Sequence, residues 1–200
     1  NMHQYDEAIK AGENAVKEKS DEPNLWYVLG QAYFYNPGKT NLQAAKTAFL
    51  NTIKYGATSH AHFELANVYL RLNEIDKAAT HYQESISLDP TNGKTYYQLG
   101  QTLMRLGKKK EGAEAIAKSK PLLDLNQKES VLLDKLVVAP HSAKVKYDLG
   151  NVYFKLKLYY KAKNWFRSAL EDDSRYSDAQ RMMAEADKLM PESVRSEEGQ

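Results

Sequence analysis

The chain has 200 residues, of which 42% are hydrophobic and 27% charged, and 28 basic groups against 26 acidic ones leave a net charge of +2. This balance excludes the low-apolar, highly charged composition of a disordered chain. With no cysteine, disulfide frameworks and thiol chemistry are excluded, and no apolar run approaches the roughly 18 residues that a membrane-spanning helix needs.

In chain order, apolar positions at three- and four-residue steps predict helices over 3–18, 24–35, 41–55, 59–71, 75–88, 92–105, 109–120, 122–138, 142–156, 159–171 and 175–189. Leu25, Trp26, Leu29, Ala32 and Tyr33 line one face of the second of these, and Ile75, Ala78, Ala79, Tyr82 and Ile86 line one face of the fifth. Around Pro121 the expectation is either an additional helix or one kinked long helix, because proline lacks the backbone donor. Leu125, Val131, Leu132, Leu136 and Val137 continue an apolar stripe beyond it. The last helix carries Tyr176, Ala179, Met182, Met183, Ala186 and Leu189 on one side and charge on the other, as a capping helix requires. The polar tail 191–200 is expected to be disordered.

One pattern recurs along these helices: Leu29-Gly30-x-x-Tyr33, Leu65-Ala66-x-x-Tyr69, Leu149-Gly150-x-x-Tyr153, and Leu99-Gly100-x-x-Leu103 without its aromatic. Each copy is followed by a small residue and, four positions on, a bulky one: Ala45 and Phe49, Ala78 and Tyr82, Gly112 and Ile116, Ala162 and Phe166. Pro90 and Pro140 each precede a signature leucine by nine residues. The small residues at 30, 66, 100 and 150 predict close helix–helix approach there.

The pattern resembles the tetratricopeptide repeat, whose period is about 34 residues. The signature leucines are 36, 34 and 50 residues apart; the first interval is lengthened by the turn around Pro37, and the third carries the surplus around Pro121. The resemblance implies an all-α solenoid of helix hairpins, a right-handed superhelix with a C-terminal capping helix, and a role in protein–protein interaction. The expected divisions are a partial repeat at 1–22, repeats at 23–57, 58–91, 92–140 (with the extra helix) and 141–174, and the cap at 175–190. Tyr5, Ala8 and Ala15 read as the second helix of a repeat whose first helix is missing, so the chain is expected to be a piece of a longer protein. Its compartment stays open between cytoplasm and periplasm.

In such arrays the first helix of each pair lines the concave face. Five residues before each signature leucine stand Asn24, His60, Lys94 and Lys144; two before, Tyr27, Phe63, Tyr97 and Tyr147; two after, Gln31, Asn67, Gln101 and Asn151; six after, Tyr35, Arg71, Arg105 and Lys155. These offsets share one side of a helix. From them the expected protein-binding groove comprises Tyr27, Gln31, Phe63, Asn67, Arg71, Lys94, Tyr97, Gln101, Arg105, Lys144, Tyr147, Asn151 and Lys155. Amides can match backbone N–H and C=O together, aromatic faces add apolar area, and the cations can meet carboxylates. The amides of Asn67 and Gln101 are expected to be removable without loss of stability. The competing reading makes the aromatics partly core and the amides merely solvated.

A carboxylate clamp of the kind that holds chaperone tails is not expected, because Asp148 stands where an arginine belongs. Charge is segregated, net −3 over 1–93, +10 over 94–169 and −5 over 170–200. The basic middle would steer an acidic, extended partner segment. Ends of opposite sign also permit self-association. Nucleic acid is disfavoured, because no recognised binding motif accompanies the Lys108-Lys109-Lys110 run. His60 and His62 point to different sides of a helix, and His3, His81 and His141 lack ligands at metal spacing, so no metal or cofactor site is expected. No phosphate loop, nucleophile elbow or HExxH occurs. The expectation is a non-catalytic scaffold; a self-assembly module and an accessory domain of a larger enzyme are the alternatives.

Overall fold

The computed structural model describes residues 2–37 and 39–191. Among them are ten α-helices and no strand: α1 Met2–Glu18, α2 Pro23–Tyr35, α3 Leu42–Gly56, α4 Ser59–Arg71, α5 Ile75–Leu88, α6 Gly93–Arg105, α7 Lys109–Val138, α8 Ala143–Lys155, α9 Tyr159–Asp172 and α10 Ser177–Leu189. The chain is an all-α helical-repeat protein of the solenoid class. Residues 192–200 of the tail expected to be disordered, and Gly38 of the long turn, lie outside the described residues.

Helix starts follow from local chemistry. The side chains of Asn41, Thr58, Asn92 and Ser142 each accept from the backbone N–H three residues on, satisfying a donor that the first turn leaves unpaired. Three hairpin turns close through a residue with left-handed backbone: Asn73, Gly107 and Lys157, at φ 61°, 79° and 61°.

The chain divides into two compact units, Asn1–Lys120 and Pro121–Gln200. In the first, Phe34, Phe49, Leu65, Val68, Tyr82, Leu99 and Leu103 belong to one apolar core, with Phe49 and Tyr82 fully buried. In the second, Leu132, Leu149, Val152, Phe166, Ala169 and Ala186 belong to another. The expected close approaches are present. A Cβ on Gly100 would lie 2.8 Å from the carbonyl oxygen of Gly112, and one on Gly150 would lie 2.4 Å from the ring of Phe166.

Of the alternatives expected around Pro121, an additional helix or one long helix, the structure has the single helix, the 30-residue α7, with Pro121 inside it. Ala117, whose carbonyl would have bonded the missing N–H, and Pro121 itself are both exposed. The break in the hydrogen-bond ladder therefore falls where solvent can compensate, and the helix continues past it.

Candidate functional site

The position three residues before each signature leucine is a packing point, and each repeat fills it differently. Trp26 is half-buried and donates its indole N–H to the carbonyl of Ser20 at 2.8 Å. His62 is buried and meets His81 of α5, Nδ1 to Nδ1, at 3.0 Å. Lys146 pairs with Asp172 of α9 at 2.5 Å, with 11% and 10% of their side chains exposed. Tyr96 fills the remaining position, half-buried.

In the first unit the expected binding residues fall on α2, α4 and α6. Arg71 of α4 donates to the carbonyl of Phe34 on α2 at 3.3 Å and lies 4.9 Å from that ring's centre. Lys94 of α6 lies 5.0 Å over the ring of Phe63 on α4. Phe63 is buried and Tyr27 half-buried, packed on Tyr82 and Phe49 respectively. Tyr97 is 40% exposed, and Lys94, Gln101 and Arg105 are exposed beside it. In the second unit Lys144 and Lys155 are exposed, while Tyr147 and Asn151 are half-buried. Lys144 bonds Asp148 at 2.9 Å, and the ring of Tyr147 packs edge-on against Tyr176.

Several amides are already engaged. Gln31 donates to the hydroxyl of Tyr27 at 3.2 Å, and Gln101 to that of Tyr97 at 2.6 Å. Asn67 donates to Glu64 at 3.2 Å and accepts from the hydroxyl of Tyr82 at 2.5 Å. Tyr35 of α2 donates to the same Glu64 carboxylate, 2.9 and 3.1 Å from its two oxygens. Glu64 is itself only 8% exposed. Burial first, and the Glu64 charge second, hold the hydroxyls of Tyr27, Tyr35 and Tyr82 above the ordinary tyrosine range.

Glu64, Tyr35 and Tyr82 are not in the expected binding set. Glu64 stands one residue before its signature leucine, a register occupied elsewhere by Val28, Gln98 and Asp148. That offset lies three residues before the amide row, on the same side of the helix, and this signal could have found it. The histidine pair had no such signal, because its members are 19 residues apart on two helices. Among the described residues no group of three or more His, Cys, Asp or Glu is placed to hold a metal ion, and no helix is long and apolar enough to cross a membrane.

Residues 66–107 match a family model described as TPR repeat, and residues 143–173 match one described as tetratricopeptide repeat. Comparison with curated protein sequences gives no match. Among solved structures the chain is similar to MamA from Desulfovibrio magneticus RS-1, at 20% identity and TM-score 0.54, covering 86% of this chain and 87% of that one. It is also similar to YrrB, titled a TPR protein with an unusual peptide-binding site, at 17% identity and TM-score 0.54, covering 90% and 83%. A chain of the APC/C hetero-tetramer Cut9-Hcn1 is 14% identical with TM-score 0.52, covering 92% of this chain and 40% of that one. These likenesses carry the fold, and the matched stretches contain the signature residues Leu99 and Leu149 and the packing points Tyr96 and Lys146. The chain carries tetratricopeptide repeats over residues 66–107 and 143–173.

Proposed function

We propose that the chain is a non-catalytic interaction scaffold and that the first-helix face of its N-terminal unit receives an extended, acidic segment of a protein partner. The observation that carries this reading is the row of Lys94, Tyr97, Gln101 and Arg105 on α6, all exposed, together with Arg71, also exposed, at the equivalent end of α4. Cations beside an aromatic ring and an amide suit a segment that offers carboxylates and an unpaired backbone. The tetratricopeptide family and its interaction role support the same assignment, as does the net +10 over 94–169. Repeats at 23–57, 58–91, 92–140 and 141–174, a partial repeat at 1–22 and a cap at 175–190 are the divisions we assign. Lys144, Tyr147, Asn151 and Lys155 are the corresponding row of the C-terminal unit.

The test is fluorescence anisotropy with a pool of labelled, acetylated Asp/Glu/Ala decapeptides. Binding that weakens about tenfold or more in an Arg71→Ala, Arg105→Ala double variant, and that falls with added salt, is expected. Affinity untouched by both changes would overturn the reading.

A second reading, self-association, is favoured by one observation. Val137 and Val138 at the end of α7 are 83% and 87% exposed, with Val131 and Leu133 also exposed. Exposed apolar groups of this kind gather at interfaces. Light scattering across concentration tests it, and a strict monomer removes it.

A further inference from the structure

Glu64 is a carboxylate more than nine-tenths buried, and among the described residues no cation forms an ion pair with it. Its donors are one hydroxyl hydrogen from Tyr35 and one amide hydrogen from Asn67. A carboxylate has about four acceptor positions, so two donated hydrogens leave capacity unused. Burying a charge without a counter-charge is costly, and a Gln would make the same two hydrogen bonds without that cost.

The same register offers an internal contrast. Asp148, one residue before Leu149, has its own cation four residues upstream, Lys144 at 2.9 Å. Four residues upstream of Glu64 stands His60, whose ring nitrogen faces Ser59 instead. The nearby cations do not pair with it. Arg71 holds the Phe34 carbonyl, and Lys94 lies over Phe63. Tyr35, at 45% exposure, and half-buried Asn67 border the carboxylate on the same face as the proposed groove.

We infer that Glu64 is a specificity subsite that takes the ammonium or guanidinium of one Lys or Arg side chain within the bound segment, its missing counter-charge supplied in trans. This rests on the groove reading and sharpens it. The guest is acidic along its length, where Arg71, Lys94 and Arg105 meet it, with a single basic residue seated between α2 and α4. Tyr35, Asn67 and Tyr82 position the carboxylate, and two donor hydrogens from the guest complete its acceptor set.

The experiment compares the acidic decapeptide pool carrying one Lys or Arg with the same pool carrying Gln at that position. It is run on the full chain, on Glu64→Gln and on Tyr35→Phe, with thermal melts as a folding control. The expected result is about tenfold tighter binding of the basic-residue pools to the unmodified chain, falling to under about twofold in Glu64→Gln. Tyr35→Phe, which keeps the charge and removes one internal donor, is expected to retain the preference. Pools that bind without any Lys or Arg preference would overturn this inference and leave the groove reading standing. Preference that persists in Glu64→Gln, or disappears in Tyr35→Phe while that variant stays folded, would also overturn it. No binding of any pool would overturn both readings.

Discussion

The Nδ1 atoms of His62 and His81 face each other across the α4–α5 hairpin at 3.0 Å, so one ring must donate and the other accept. The ring of His81 stacks on Tyr69, 5.3 Å between centres, and Lys77 lies over the other partner of that stack. Burial holds both histidines below their ordinary value; the His62 charge adds to this for His81, while Glu84 pulls each the other way. The unfolded chain therefore takes up protons below about pH 6.5 that the folded chain refuses. Stability is full above that pH and is lost as pH falls through it. Melting temperature is expected to drop between about pH 7.5 and pH 5.5, with a shallower drop in His81→Gln, measured by circular dichroism. An identical pH slope in the variant would refute the assignment.

Phe166 is fully buried against Gly150, and a methyl group there has no room. Gly150→Ala should gain about 1 kcal/mol of helix propensity and lose more to overpacking, a net cost of about 1–2 kcal/mol by urea denaturation. A stabilised variant would mean that α8 and α9 separate more easily than their packing suggests.

Lys146 and Asp172 are both nearly buried, with exposed His141 3.2 Å from the other oxygen of the same carboxylate. Lys146, more than His141, holds the Asp172 carboxyl below the usual carboxylate range. Removing only the cation strands the anion. Lys146→Met is expected to lower the melting temperature, and Lys146→Met with Asp172→Asn is expected to recover most of the loss. Equal melting of the single and double variants would show that the pair is uncoupled.

Asn67 and Gln101 occupy the same register and should answer differently. Asn67→Ala leaves the hydroxyl of the buried Tyr82 without its acceptor, at a cost of about 1–3 kcal/mol. Gln101→Ala removes one bond between exposed groups and should leave the melting temperature within about 2 °C. Of the two amides only Gln101 is therefore predicted to be dispensable for stability, and differential scanning fluorimetry of the two variants tests this.

Much of the architecture was legible because signature leucines and small residues set the helix faces directly: α4 and α5 begin and end at the expected residues. Pro121 left two readings open because the rule for proline concerns the helix interior in general, whereas its effect depends on whether the orphaned carbonyl meets solvent. The candidate face was half legible. Offsets placed Tyr97, Gln101 and Arg105 together, yet they could not show that Phe63 sinks into the core or that Asn67 is spent on Glu64 and Tyr82. Those partners lie on other helices, and periodicity within one helix is blind to them. The reading that makes the aromatics partly core describes Phe63, while Tyr97, Gln101 and Arg105 stay exposed.

The four different fillings at one packing point also limit how freely these repeats can be exchanged. A chimera that grafts α4 beside a foreign second helix would leave His62 without its mate, and one that moves α8 alone would part the nearly buried Lys146 from Asp172. Duplication or shuffling must therefore move whole hairpins, and the segment bearing His62 would have to travel with the one bearing His81.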